Sequence, residues 1–348
     1  MINRTLKPRG DLLDNNIKVV NRLFIYLFSF VYLTILLSLP NFIFKDRVTY
    51  IAYIEQYDFF STKTDGLLEY LVNEPVFLFF NYLLKDIVAS DIVPKIYVFF
   101  ILFSIIICLK KYSSNFVMFF LGLVSLIIIP YTFHLQLVIL RQGIATAILL
   151  LALCFFKDNR KHLVVCLFVS LIHSSFFLIF LYLLINNFLK KYNRGKRYFV
   201  LFLFNIFMGF FVLVLANMLG FRQSEDLLLA DSGGSGGAWL LWLIVYVYMI
   251  FYGKKDNSYL YDYAMIGLIS FLSLYFLNPI SGRLVCSFIP AVIVILVSDF
   301  KYQSILIVSF IILLYGYIVY NGALVGLSLA QSNSALIDAL YGALTWFL

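Results

Sequence analysis

Arg141, Arg222 and Arg283 are the side chains around which a chemical reading of this sequence forms. Arg141 opens the string RQGIATAILLLALCFF, Arg222 lies in FRQSEDLLLADSGGSGG, and Arg283 ends NPISGR, just after a helix-breaking Asn278-Pro279. A guanidinium fork matches the oxygens of a phosphate or pyrophosphate, so three of them converging from different helices would hold an anion without a metal. The plainer reading of any one of them is an arginine snorkelling to an interface. Gln142 follows Arg141. His134 lies two helical turns before it, on the same face if one helix carries both. His173 stands in LIHSSFF, in the middle of a long apolar run, where an ionisable residue usually faces a protein cavity. A neutral imidazole there can take a proton from a hydroxyl, or it can simply be satisfied by a neighbouring helix carbonyl. Glu74 precedes Pro75, and proline suits the first turn of a helix. The acid would then sit at the positive end of a helix over 75–84, a role that needs no chemistry.

The composition decides what kind of scaffold can hold these residues. Of 348 residues 63% are hydrophobic and 13% charged, with mean hydropathy +0.96. Average soluble domains are about 45–50% apolar and about 25% charged, so a soluble globular protein and a disordered chain are both excluded. Apolar runs near 23–44, 94–109, 116–133, 137–156, 163–189, 198–219, 239–252, 259–277, 284–299 and 303–320 amount to about ten membrane-embedded segments. They lack the alternation of a membrane barrel. The expected fold is therefore all-α, a polytopic integral membrane protein with one transmembrane domain over 1–348. The basic N-terminal tail carries no small-residue cleavage site, so the first helix is expected to be retained.

The formal charge of +8 comes from 26 Lys+Arg against 18 Asp+Glu. Basic clusters lie in the N-terminal tail, at Lys110-Lys111, at Lys157/Arg160/Lys161, from Lys190 to Arg197, at Lys254-Lys255 and at Lys301. The positive-inside rule wants all of them, and the N-terminus, in the cytoplasm. The positive excess is then a topology signal and implies no nucleic-acid partner. Alternation fails at 163–189, which has strongly basic segments on both flanks. A re-entrant hairpin of two short helices, turning at His173-Ser174-Ser175, keeps both flanks inside; a simple tilted span is the alternative. The outer face then carries a large amphipathic loop region over 45–92, after the first helix, read as one or two interfacial helices. A Gly/Ser-rich loop over 220–238 reads as a hinge. Outside the long loop, the outward basic residues are Arg141, Arg222 and Arg283.

No HExxH or paired-aspartate motif occurs. His134, His162 and His173 do not form a metal cluster, and Cys108, Cys154, Cys166 and Cys286 show no CxxC spacing. Neither a metal nor a cofactor is expected.

The segment LRQGIATAILLLALCFFKDNRKHLVVCLFVSLIHSSFFLIFLYLL resembles the core of the EpsG-like polysaccharide polymerases, related to O-antigen polymerases. The shared pattern is a helix start at Arg141-Gln142-Gly143-Ile144-Ala145, the basic loop KDNRKH, and a hydrophobic stretch ending at His173-Ser174. Glu74-Pro75 and Arg283 fit the same likeness, which runs over roughly 50–300. The resemblance implies a GT-C-like, metal-independent enzyme of the bacterial inner membrane. It would join oligosaccharide repeat units carried on undecaprenyl pyrophosphate at the outer side, among membrane lipids, and could answer to a chain-length regulator protein. Under it, Arg141 and Arg283, with Arg222, would hold pyrophosphate, helped by Gln142 and His134. His173 would be the base, and Glu74 an acceptor-sugar ligand or alternative base. A lipid-linked sugar flippase and an O-antigen ligase are the competing readings. No hydropathy repeat between the two halves supports a transporter.

Overall fold

A break in an apolar run is tolerable only where the freed backbone groups find partners, because lipid supplies none. The computed structural model of the chain describes residues 9–56, 74–218, 236–278, 280–322, 324, 329 and 333–345. Its helices are α1 (Arg9–Ser38), α2 (Arg47–Glu55), α3 (Pro75–Lys85), α4 (Val93–Tyr112), α5 (Phe116–Ile128), α6 (Pro130–Leu137), α7 (Leu140–Phe155) and α8 (Asn159–Ser170). They continue as α9 (Phe176–Phe188), α10 (Arg194–Met218), α11 (Gly237–Tyr252), α12 (Ser258–Leu274), α13 (Ile280–Leu296), α14 (Tyr302–Tyr320) and α15 (Asn333–Thr345). Among the described residues, β-pairing is confined to an isolated bridge between Phe44 and Leu329. Most of the 220–238 loop, including Arg222, and residues 57–73 of the 45–92 region lie outside the described residues.

Among the described residues, three helices are long and apolar enough to cross a membrane: Lys18–Ser38 within α1, α4 and α14. α5 and α6 together make a further candidate, bent by 81°. α3, α7, α11, α12 and most of α13 are apolar but shorter. A 17-residue helix such as α12 reaches only about 25 Å, less than a hydrocarbon core of about 30 Å. The fold is thus all-helical and that of a polytopic membrane protein, with several runs divided where the sequence looks continuous.

Each division has local chemistry behind it. Pro130 cannot donate a backbone hydrogen bond, which frees the Leu126 carbonyl. Thr132 Oγ1 donates to that carbonyl at 2.7 Å and Gln136 Nε2 at 2.9 Å. Gln136 is held in turn by the Tyr32 hydroxyl of α1, 2.5 Å away. The chain breaks again between α6 and α7. There the Leu137 carbonyl accepts from Arg47 Nε at 2.8 Å, and Arg47, fully buried, also reaches Asn41 Oδ1 at 3.1 Å and lies 4.1 Å from the Phe44 ring centre. This second break corrects one expectation. His134 belongs to α6 and Arg141 to α7, so the two do not stack on one helix.

The run 163–189 is two short helices. α8 and α9 pack against each other around a turn at 171–175, where Phe176 N–H donates to the His173 carbonyl at 3.0 Å. The side chains of Asn159, at the start of α8, and Asn187, near the end of α9, touch. Both ends of the pair therefore lie together, as a hairpin requires and a tilted span does not allow. The foot is fastened by Asp262 of α12, which the sequence reading passed over. Its carboxylate accepts from Tyr198 (2.9 Å), Arg197 Nη1 (3.1 Å) and Arg194 Nε (3.3 Å). Arg197 also donates to Asn186 Oδ1 of α9 at 2.9 Å. Arg197 and Arg194, read as loop charges from the sequence, are thus partners of a buried acid.

Two outcomes test this arrangement. Asp262→Ala leaves the buried Arg197 without its anion and is expected to lower the thermal unfolding midpoint by several degrees, for a loss of ~3 kcal/mol; an unchanged midpoint contradicts the clamp. The four native cysteines are buried and Asn193 is exposed, so Asn193→Cys reports sidedness cleanly. A membrane-impermeant maleimide is expected to label it only after the inner membrane is opened, and labelling of intact cells contradicts the hairpin topology.

Candidate functional site at the hairpin tip

The hairpin tip meets the start of α3. Val76 N–H donates to the Leu171 carbonyl at 3.2 Å, joining the start of α3 to the turn before His173. Glu74 stands at this junction as the residue preceding α3, in the left-handed region at φ 58°, ψ 58°. Among the described residues it is the non-glycine residue with positive φ. Such a conformation costs on the order of 1–3 kcal/mol and persists where surrounding contacts impose it. The contacts are specific. Glu74 Oε1 accepts the Ser174 backbone N–H at 3.2 Å and Oε2 accepts Arg141 Nη1 at 2.5 Å. Its carboxylate does not cap its own helix, so the helix-terminus role gives way to a contact between α3, α7 and the hairpin.

Arg141 sits in a box of aromatic rings. Its guanidinium carbon is 5.6 Å from the Tyr53 ring centre, 5.8 Å from Phe77 and 6.0 Å from Tyr50. Rings at that distance stabilise a cation through their quadrupoles. The box is built by α2 and α3, which pack against each other and close over the start of α7. The helices of the 45–92 region therefore supply walls of the site. The Glu74 side chain is 7% exposed and that of Arg141 35%, so the acid is buried and the arginine side chain only partly covered.

His173 Nδ1 lies 3.6 Å from Glu74 Oε1 and accepts the Ser175 backbone N–H at 3.2 Å. An Nδ1 that accepts leaves the proton on Nε2, which fixes the tautomer. Gln142 is buried and spends its amide N–H groups on the Arg283 carbonyl (2.7 Å) and Ser287 Oγ (2.8 Å). It ties α7 to α13 and places Arg283, with no reach into the cleft. Arg283 is exposed in the first turn of α13.

Electrostatically the site is larger than the sequence suggested. His134 feels Lys45 and Arg283; His173 feels Glu74, Arg141 and Arg283. Asp46 joins them: burial pushes its carboxyl up, and Arg141, Lys45 and Arg283 oppose that rise. The structure thus gathers Glu74, His134, Arg141, His173 and Arg283 in one charged region and adds Lys45, Asp46, Tyr50 and Tyr53. Lys45 and Asp46 were submerged in the charges of a long loop. The Tyr50–Tyr53 spacing, one helical turn, was the available signal for the box.

Close helix approach sets the height of Arg141. A Cβ on Gly143 would fall 2.5 Å from Ile101 Cδ1 and 2.6 Å from the Leu135 carbonyl oxygen. Gly143→Ala must push α7 away from α4 and the end of α6, at a cost of about 1–3 kcal/mol. The expected result is a lower unfolding midpoint in purified protein, and an unchanged midpoint contradicts the packing described.

No curated protein and no solved structure matches the chain significantly. The model of the EpsG family matches residues 23–334, nearly the whole chain. The helix start at Arg141, the His173–Ser174 tip and Glu74 all fall within the matched span, and the chain belongs to the EpsG family.

Proposed function

We propose that the protein joins oligosaccharide repeat units carried on a polyprenyl pyrophosphate, at the outer side of the bacterial inner membrane, as in O-antigen or related surface polysaccharides. Membership of the EpsG family supports a membrane enzyme of glycosyl-polymerase type. The observation that carries the finer reading is the Glu74–Arg141 pair at the hairpin tip, with a partly exposed arginine side chain beside a buried carboxylate.

The leaving group in such a reaction is a lipid pyrophosphate, stable once expelled, so the protein has mainly to position it and neutralise its charge. Arg141 and Arg283, with Lys45 nearby, supply cations for that purpose, and His134 can add a hydrogen bond from a neutral ring; Arg222 is a further candidate. When pyrophosphate enters, Arg141 can exchange the Glu74 carboxylate for phosphate oxygens. Glu74 then takes the proton of the acceptor hydroxyl, the hydroxyl oxygen attacks the anomeric carbon of the donor sugar, and the bond from that carbon to the pyrophosphate oxygen breaks. The Ser175 contact to Nδ1 favours His173 as a donor through Nε2–H to substrate oxygen, in place of the base role expected from sequence. None of these steps calls for a metal.

The test is polymer length in a strain lacking the native gene, read as a ladder on a gel at matched protein levels. Glu74→Gln and Arg141→Ala are each expected to cut polymer formation by roughly 100-fold or more, in the range of lost base or charge stabilisation. His173→Ala is expected to cut it less than Glu74→Gln. Full ladders from both Glu74→Gln and Arg141→Ala overturn the assignment. Purified protein is expected to elongate lipid-linked units without nucleotide sugar; translocation without elongation would point to a flippase, and a single transfer to a different acceptor lipid to a ligase.

A further inference from the structure

Beside the Arg141 box, between α3, α4 and α7, lies a cavity of about 270 Å³ whose walls include Phe80, Leu84, Phe100, Ile144 and Ile148. It continues the two helix faces that make the box. Ile144 and Ile148 are three and seven residues beyond Arg141 on α7, about 4.5 and 10.5 Å along the axis and on the same face. Phe80 and Leu84 stand in the same relation to Phe77, whose ring borders the Arg141 guanidinium. The walls are nearly free of polar atoms. Tyr97 also lines the cavity, but its hydroxyl donates to Asn81 Oδ1 at 2.6 Å. Such a surface offers nothing to a sugar, whose hydroxyls would lose water without recovering hydrogen bonds.

We infer that this groove binds the first isoprene units of the polyprenyl tail of a lipid-linked pyrophosphate whose head group sits at Arg141. The inference rests on the reading of that head group given above and adds a place for the tail. Three features choose this occupant. The cation at one end calls for an anionic head, the apolar walls call for hydrocarbon, and the size calls for one chain. At ~30 Å³ per heavy atom, water's share of its liquid, the groove has room for about nine carbons. That is about two isoprene units of a single chain, whereas a phospholipid brings two chains on a glycerol.

The experiment uses the full-length protein in nanodiscs and a polyprenyl pyrophosphate bearing a diazirine on an isoprene unit next to the pyrophosphate. Cross-linked peptides are expected to come from α3, α4 and α7. The label is expected to fall about tenfold in Ile148→Trp, which fills the groove, a loss of ~1.4 kcal/mol. Leu83→Trp, on the half-exposed rim, guards against a folding defect in the first variant and is expected to act in the same direction. Labelling confined to other helices overturns the inference, and so does equal labelling of the same peptides by a diazirine phosphatidylglycerol. Groove labelling by a protein that makes no polymer leaves the groove standing and removes the polymerase reading; Arg141-dependent polymer with labelling elsewhere does the reverse.

Discussion

One carboxylate holds three parts of this molecule together. Glu74 accepts the Arg141 guanidinium of α7 at one oxygen and the Ser174 backbone N–H of the hairpin tip at the other. In a medium of low dielectric, both contacts are stronger than in water, and losing either leaves a polar group that is expensive to bury. The left-handed backbone at Glu74 is best understood as the consequence. The carboxylate must face α7 and the hairpin together, and ordinary dihedrals at the residue preceding α3 would aim it elsewhere. A strained, buried acid paired to a partly exposed arginine is a site poised for an exchange of partners.

The rest of the fold serves that junction by cutting apolar segments short. α8 and α9, at 12 and 13 residues, are each about 18–20 Å long and so end within the membrane's depth. Their tip can therefore present His173 and two backbone N–H groups where lipid would otherwise forbid them. At the foot, Asp262 and Arg197 fix the pair from the basic side. On the other flank, the Arg47 contact to Leu137 lets α7 start afresh, so that Arg141 occupies a helix end and not a helix middle. Gln142 then carries that position across to Arg283.

The parts legible in the sequence were those fixed by charge and by proline. Two basic flanks around 163–189 left a hairpin as the arrangement that satisfies the positive-inside rule, and Glu74-Pro75 announced the start of α3. Arg141, His173 and Glu74 were each visible as an ionisable residue in an apolar setting. Their mutual contact was not, since 67 residues separate Glu74 from Arg141 and nothing local encodes it. The break before α7 was hidden because 137–140 is uniformly apolar; its cause is Arg47, which lies 90 residues away from Leu137 along the chain. Asp262 looked like one acid in a span, and Arg194 and Arg197 looked like topology signals, because pairing is a tertiary fact. Gln142 looked like a ligand-binding side chain for the same reason. A buried amide next to a catalytic candidate reads identically whether it faces substrate or a neighbouring helix.

The central claim is that Glu74 and Arg141 act as one unit, and thermal unfolding of the purified protein through a double-mutant cycle tests it most directly. Arg141→Gln leaves the Glu74 carboxylate buried beside a neutral side chain, whereas Glu74→Gln with Arg141→Gln removes the stranded charge. The account predicts that the double variant unfolds at a higher temperature than Arg141→Gln alone, with a coupling of about 1 kcal/mol or more. Two single effects that add to within ~0.5 kcal/mol would contradict it.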